Sequence, residues 1–400
     1  MLFEIIDQKH TCKSIYSENT IIPNPKYDKI NKTWTYHSSL KDHQVEYASL
    51  YAQGKTVDEC CPENLKESWE SVKTKHLSYI KSFKEAKVQT YDHCFYDLVP
   101  QSFVIEYFKS KSQITEYVLN RYTRPENYNF LLELTKLITS IRDNELNINP
   151  DVLWNKLHQV KTRSFYSKLH HCIPHIDYNI FGTITGRLTT KKDSFPILTM
   201  NKDYRSVIKP NNDWFIELDF NAAELRCLLA LNKQPQPEED IHQWHGQIFN
   251  KLSDQILNRD EIKRKIFGWL YGPLNTSLGI PEVEKYYNKK NVIEKYWDGT
   301  EVINPFGKKI KADKFHSLNA IIQSTTSDVF LRRAIAVNKL LEGRKSSTMG
   351  LIHDSMVIDF AREDKDILNE IIKEFGNTEL GMFKVNTSLG TNFGNMRKFR

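Results

Sequence analysis

Hydrophobic and polar positions change their rhythm three times along this chain. Residues 1–60 are polar and turn-rich, with Pro23, Asn24 and Pro25 and little periodicity, so no regular element is predicted there. Residues 62–169 switch to a helical rhythm. Leu65, Trp69, Val72 and Leu77, then Phe130, Leu131, Leu134, Leu137 and Ile138, recur near one helical turn. From Tyr178 the pattern changes again. Residues 181–190 are rich in Gly and Thr and read as strand and turn. Residues 214–220 alternate: Ile216, Leu218 and Phe220 point one way, and Phe215, Glu217 and Asp219 point the other, as on a strand. Asn221 then opens a strong helix-forming run as its expected N-cap. Residues 234–240 read as a loop and 261–271 as a helix. Residues 349–360 look like two short strands around a tight His353-Asp354 turn, which places Asp354 at a hairpin tip.

Length and composition narrow the class without naming a function. At roughly 150 residues per domain, 400 residues give two or three domains. That length buries a core without disulfides or a structural metal. No stretch approaches the ~18 apolar residues of a membrane span, and the acidic start does not read as a secretory signal. Cys12, Cys60, Cys61, Cys94, Cys172 and Cys227 form no Cys-x-x-Cys pair, so a reducing, cytoplasmic setting is expected. The net charge of +6 leans toward anionic partners, but many enzymes are this basic. There is no internal repeat and no phosphate loop of the Gly-x4-Gly-Lys-Ser/Thr type.

Candidate chemistry sits on the predicted elements. Arg259, Lys263, Phe267 and Tyr271 fall at i, i+4, i+8 and i+12, followed by Gly272. Four residues advance 400°, so the side chains form one slowly winding stripe about 18 Å long. Two cations then two aromatics suit a nucleotide, with phosphates on the cations and a base on a ring. A solvated basic face beside a packed aromatic pair has the same pattern. Asp219 and Asp354 each end a β element, where an Asp is commonly a turn or cap residue. On adjacent strands they could instead bind divalent metal with substrate phosphates. Spacing alone leaves both possibilities open.

The conjunction, in order, carries a resemblance. Asp219-Phe-Asn-Ala-Ala-Glu-Leu-Arg226 resembles motif A of the family A DNA polymerases, the bacterial polymerase I type. Arg259 to Gly272 is similar to their motif B, and Ile352-His-Asp-Ser355 to motif C. Thr185-Gly-Arg-Leu188, Asp240-Ile-His242, Asn319-x-x-x-Gln323 and the closing segment 383–393 add to the likeness. It covers about residues 176–400, is weak over 60–175 and fades over the first 60. The whole resembles a compact phage-encoded form.

That resemblance implies an α+β right-hand fold with an antiparallel palm sheet, helical fingers and a helical thumb. The expected division is an N-terminal extension (1–60), a thumb-like region (61–175), palm (176–235), fingers (236–315) and second palm part (316–400). It implies a DNA-directed DNA polymerase that extends a primer on primer–template DNA with dNTPs, as a monomer in the cytoplasm, or the host cytoplasm if viral. Asp219 and Asp354 would hold two Mg²⁺ ions, with Mn²⁺ as a substitute. Arg259, Lys263 and His242 would contact the triphosphate. Phe267 would stack on the incoming base, and Tyr271 beside Gly272 would guard the templating position. Glu224 matches the steric gate against a ribose 2′-hydroxyl. Arg187, Asn319, Gln323 and His353 would meet the duplex, and Arg226 would be structural.

Departures and rivals follow from the same residues. Ser355 stands where motif C usually has Glu, so one carboxylate is missing. The fingers segment is short. Asp143-Asn-Glu145 follows a helical run and reads as a helix end, so a 3′→5′ exonuclease is not expected. His242 with His245 could be a metal pair but lacks a third ligand, and the 170–175 run His-His-Cys-Ile-Pro-His lacks a partner set. Lys308, Lys309, Lys311, Lys314 and the terminal Arg397-Lys398-Phe399-Arg400 are candidate backbone contacts. The alternatives are a catalytically weak or inactive polymerase-like accessory protein, and a single-subunit RNA polymerase, against which Glu224 argues.

Overall fold

A computed structural model describes residues 1–7, 13–88, 93–169, 172–192, 194–252, 257–273 and 276–399. Cys12, His170, His171 and Arg400 lie outside the described residues. The chain divides into two units, Met1–Asp143 and Asn144–Arg400.

In the first unit, β1 (Glu4–Ile5), β2 (Ser14–Ser17) and β3 (Thr20–Pro23) form an antiparallel sheet in that order. Glu18 and Asn19 both have positive φ (48° and 62°), the two-residue turn that matches strand twist. These strands are too short to show alternation, so the pattern hid them. After two single-turn helices, Ala48–Tyr51 and Val57–Cys60, come three long ones: α1 (Lys66–Glu85), α2 (Gln101–Arg121) and α3 (Tyr128–Asp143). Leu131, Leu134, Leu137 and Ile138 of α3 are buried as their spacing predicts, and Asp143 ends the helix. On α1 the expected stripe fails at Leu77, which is 55% exposed. Trp69 and Val72 are buried, but the contact line continues through His76, Tyr79 and Phe83, whose rings meet Phe95, Phe103 and Tyr107. A polar-looking His and Tyr carry the packing face.

Residues before 60 belong to the core of this unit. Ile6 and Tyr16 pack with Val104 and Phe108 of α2. A buried ion pair fixes the same join: Lys111 Nζ lies 2.9 Å from Glu4 Oε2, and the Thr115 hydroxyl donates to Glu4 Oε1 at 2.5 Å.

The second unit is built on one antiparallel sheet. The elements that build the site are β4 (Trp214–Phe220), α4 (Ala223–Leu231), α5 (Ile241–Leu252), α6 (Arg259–Leu270), α7 (Ser317–Leu340), β5 (Ser347–Ile352), β6 (Ser355–Phe360), α8 (Leu368–Gly376), β7 (Val385–Gly390) and β8 (Arg397–Lys398). The strand order is β5-β6-β4-β7-β8, with every pairing antiparallel. This mixed helix-and-sheet arrangement puts β4 at the centre. Phe220 stacks on Phe375 of α8 at 4.4 Å, which packs that helix against the sheet. α7 is buried on nearly every side, including Ser324, Thr325, Thr326, Ser327 and Asp328. A second core joins Leu225 and Leu228 of α4 to Ile241 and Phe249 of α5 and to Ile262, Ile266 and Trp269 of α6.

Two details shape the strand ends. The register shifts between Thr348 and Gly350, and the Tyr178 hydroxyl joins the next residue, accepting from Leu351 N at 2.8 Å and donating to its carbonyl at 2.6 Å. Such a bulge re-aims the hairpin beyond it. At the end of β4, the expected N-cap is not Asn221. Ala222 takes that position in the left-handed region, at φ 53°, with no side-chain cap. Asn221 is buried instead, and its Oδ1 accepts from Ile241 N at 2.9 Å and Arg226 Nη2 at 3.1 Å. Arg226, fully buried, also donates to the carbonyls of Asn221, Pro237 and Glu239, so it pins the loop before α5. No helix among the described residues is long and apolar enough to cross a membrane.

The Glu4–Lys111 pair gives a stability test. Removing one partner of a buried ion pair strands the other charge, at a cost of about 3–5 kcal/mol. Lys111→Met should lose that much in urea unfolding at pH 7, and Lys111→Met with Glu4→Gln should recover most of it.

Candidate active site

The register of β4 brings the two aspartates together. Asp219 is paired with Ser355 on one side and Asn386 on the other. Ile352 pairs with Ser355, so His353 and Asp354 form the two-residue turn between β5 and β6. Asp354 therefore sits one residue from the partner of Asp219, at the same end of the sheet. His353 is exposed and holds φ 56°, a left-handed conformation that His adopts more readily than most residues.

Burial leaves these carboxylates short of countercharge. Desolvation, aided by Glu217 and Asp354, pushes Asp219 up to about 6, while the Asn386 amide and Lys263 oppose it. Burial also raises Asp354, against the pull of Arg187. Glu217 lies two residues before Asp219 on the same face. The Ser355 hydroxyl donates to Glu217 Oε1 at 3.1 Å. A carboxylate that motif C lacks at 355 thus has a neighbour on β4. Strand alternation alone already placed Glu217 beside Asp219.

The helix α6 stripe forms as the spacing predicts. Asn258 caps it, accepting from Asp260 N and Glu261 N, and Glu261 closes the capping box. Tyr271 is its C-cap residue, so the stripe spans the whole helix. Lys263 is exposed, and Phe267 stacks on Tyr271 at 6.1 Å and 18°. Gly272 has a steric reason: a Cβ there would lie 2.6 Å from the Gly268 carbonyl oxygen.

Arg259 is engaged by a residue the pattern did not single out for this role. Asp240 takes its guanidinium at 2.8 and 3.2 Å, accepts from Asn221 at 2.8 Å, and caps α5 through His242 N and Gln243 N. Against the cost of burial, these donors hold the Asp240 carboxyl well below the usual range. The Asp at the first turn of α5 was its sequence signal. His242 is buried, and burial together with Arg259 lowers it to about 4, so the ring is neutral at pH 7. Its ring lies 6.0 Å from Phe267. His245 Nε2 meets the Tyr287 hydroxyl at 2.9 Å. Among the described residues no group of three or more His, Cys, Asp or Glu converges to hold a metal, so the His242–His245 pair finds no third ligand.

Glu224, in the first turn of α4, links two other site residues. Arg187 Nη2 donates to its Oε1 at 2.7 Å, and the Tyr271 hydroxyl donates to its Oε2. Burial and Glu224 raise the Tyr271 phenol, which keeps it a donor. Asn319 and Gln323 lie one turn apart on α7, half-buried, and Asn319 Oδ1 has no hydrogen-bond partner. Lys308 departs from expectation. Its ammonium already has a protein partner, the buried Asp328 carboxylate at 2.7 Å.

Comparison with known proteins shows what the sequence and the fold are similar to. A DNA polymerase I from Caldicellulosiruptor bescii is 25% identical over 239 residues, 48% of this chain and 28% of that protein. The polymerase domain of Pol1 from M. smegmatis, solved in complex with DNA primer-template and dNTP, matches with a TM-score of 0.64 at 10% identity. That match covers 98% of this chain and 95% of the other. The chain resembles the family A DNA polymerases in sequence and fold. No family model matches it. The segment that resembles motif A ends the central strand, and the one that resembles motif C makes the hairpin beside it, the juxtaposition that spacing had left open.

Asp219 supplies a pH test. Its carboxyl is raised from 3.8 to about 6, so its ionised form costs the folded state. That cost is absent below about pH 4 and complete above about pH 6. Asp219→Asn should therefore stabilise the metal-free protein at pH 8, by about 1–3 kcal/mol. The gap should close at pH 4 when melting is followed by circular dichroism in EDTA.

Proposed function

We propose that this chain is a DNA-directed DNA polymerase that adds dNTPs to a primer paired with a DNA template. The observation that carries the reading is the meeting of Asp219 and Asp354 at one end of an antiparallel sheet, with Lys263 and Arg187 close enough to act on their charges. On this reading the sheet is the palm, α5 and α6 belong to the fingers, and a helical thumb lies N-terminal to them.

The donor set fits Mg²⁺. Two carboxylates drawn out of water and repelling one another present hard oxygens, which suit a small divalent cation that also keeps substrate phosphate as ligand. Asp219 and Asp354 would hold it. When bound, it would neutralise charge at the α-phosphate and ease deprotonation of the primer 3′-hydroxyl.

The chain's own residues do the rest. Lys263 offers an exposed ammonium to the triphosphate, and Arg259 a guanidinium already oriented by Asp240. Phe267 supplies a face for the incoming base. Glu224, held from both sides by Arg187 and Tyr271, is a fixed carboxylate at the first turn of α4. Placed against the sugar, it occupies the space a 2′-hydroxyl needs and meets that hydroxyl with unfavourable crowding. Arg187, Asn319 and Gln323 would meet the duplex in the minor groove, where acceptors sit alike in all base pairs, so they test pairing geometry and not sequence. Asp143 closes α3 instead of lying on a strand, which favours the reading that this stretch of chain carries no 3′→5′ exonuclease site.

Primer extension with Mg²⁺ and dNTPs tests this. Asp219→Asn and Asp354→Asn should each lower kcat by roughly 100-fold or more, since several kcal/mol of charge stabilisation is lost. Full activity in either variant sinks the assignment. Glu224→Ala should admit ribonucleotides, and an unchanged rNTP-to-dNTP ratio would remove the gate. Extension from a mismatched terminus without its prior removal is the expected sign of absent proofreading.

A further inference from the structure

A lysine paired with a buried carboxylate lies against the turn that carries Arg187. Strands Glu301–Ile303 and Lys309–Lys311 form a hairpin whose tip is Asn304 to Lys308. Asn304 organises that tip: its Oδ1 accepts from Phe306 N at 3.0 Å and Lys308 N at 2.9 Å. Its amide donates to Asp328 Oδ2 at 2.6 Å. The other oxygen of Asp328 takes Lys308 Nζ at 2.7 Å. Asp328 lies on α7 and is only 2% exposed, so its charge needs this partner.

The same ammonium faces the 183–187 turn. Lys308 Nζ is 3.5 Å from the Thr185 carbonyl oxygen. Gly186 passes so close that a Cβ there would fall 2.0 Å from Nζ, and its φ of +83° belongs to glycine. The turn is closed by Gly186 N donating to the Thr183 carbonyl at 3.2 Å and by the Thr183 hydroxyl donating to the Arg187 carbonyl at 2.9 Å. Arg187 then reaches Glu224, and Glu224 accepts from Tyr271. A continuous path of polar contacts runs from Asp328 through Lys308 and the turn to the Glu224 carboxylate.

We propose that Lys308 is a positioning residue which, through the 183–187 turn, sets Arg187 against Glu224 and so sharpens discrimination at the sugar of the incoming nucleotide. This rests on the polymerase reading. Lys308 does not touch substrate. Its effect is transmitted by the place it gives to Gly186 and the direction it gives to Arg187.

The test is Lys308→Met in the full chain, with single-nucleotide insertion of dNTP and rNTP measured separately. The rNTP-to-dNTP ratio of kcat/KM should rise roughly tenfold, the scale of a lost steric or polar contact at a specificity pocket. Lys308→Arg, which keeps the charge on Asp328, should restore the ratio. Combined with Arg187→Ala, Lys308→Met should add no further change. If Lys308→Met does not fold, Lys308→Met with Asp328→Leu removes the stranded carboxylate and takes its place. An unchanged ratio, with both nucleotides slowed alike and a shallower salt dependence of DNA binding, overturns the proposal in favour of a phosphate contact. A wild-type chain that extends no primer sinks the polymerase reading. The positioning claim is then decided by a crystal structure of the variant: an intact Arg187–Glu224 pair overturns it, and a displaced turn supports it.

Discussion

The antiparallel register around β4 is the constraint on which the site depends. Asp219 stands opposite Ser355 and Asn386, and the hairpin turn adds Asp354 one residue beyond. A slip of one residue would send Asp219 to the other face of the sheet and leave Asp354 alone. Burial fixes that register. Ile216, Leu218 and Phe220 are almost fully buried on one side of β4, and Met356 and Ile358 are buried on β6. The Tyr178 hydroxyl then holds Leu351 at the bulge, which sets the approach of the hairpin tip. The core that makes the fold stable is thus the device that forces two like charges together.

Cations around this end of the sheet are held by carboxylates of different strength. The Arg259–Asp240 pair is half-exposed, with 49% of the Arg259 side chain open to water. A pair of that kind contributes at most about 1 kcal/mol. Asp240 therefore orients the guanidinium without locking it away from a stronger anion. Lys308 and Asp328 lie at the other extreme, with the carboxylate 3% exposed. That pair is committed to structure. Arg187 and Glu224 fall between, at 36% and 15%. The gradient in burial separates cations that can exchange partners from one that cannot, a distinction that counting charges in the sequence does not make.

Much of the second unit was legible because its elements announce themselves locally. Alternation over 214–220, the His353-Asp354 turn and the four-residue spacing from Arg259 to Tyr271 each depend on neighbours in sequence, and each appears. What could not be read depends on partners far along the chain. Asn221 looked like a cap by its type and place. It is instead recruited by Arg226 and Ile241, and Ala222 accepts a left-handed φ in its stead. Lys308 looked like one more cation in a basic run, yet Asp328, 20 residues away on α7, takes it. In the first unit, strands of two to four residues give no periodic signal, and α1 packs through His76 and Tyr79, residues that hydrophobicity counts as neutral or polar.

Ser355 looks like a loss only when motif C is considered by itself. Residues directly opposite on antiparallel strands are close enough that like charges there are destabilising. Position 355 is directly opposite Asp219, and Asp354 and Glu217 already crowd the same end. A Glu at 355 would add a fourth carboxylate to a group in which desolvation and repulsion already raise Asp219. A hydroxyl there does the reverse, since it donates to Glu217 and takes up one of its lone pairs. Glu217 on β4 and Ser355 on β6 therefore make sense as a pair. The strand that carries Asp219 holds the extra negative charge, and the strand beside it supplies the donor that makes the charge tolerable.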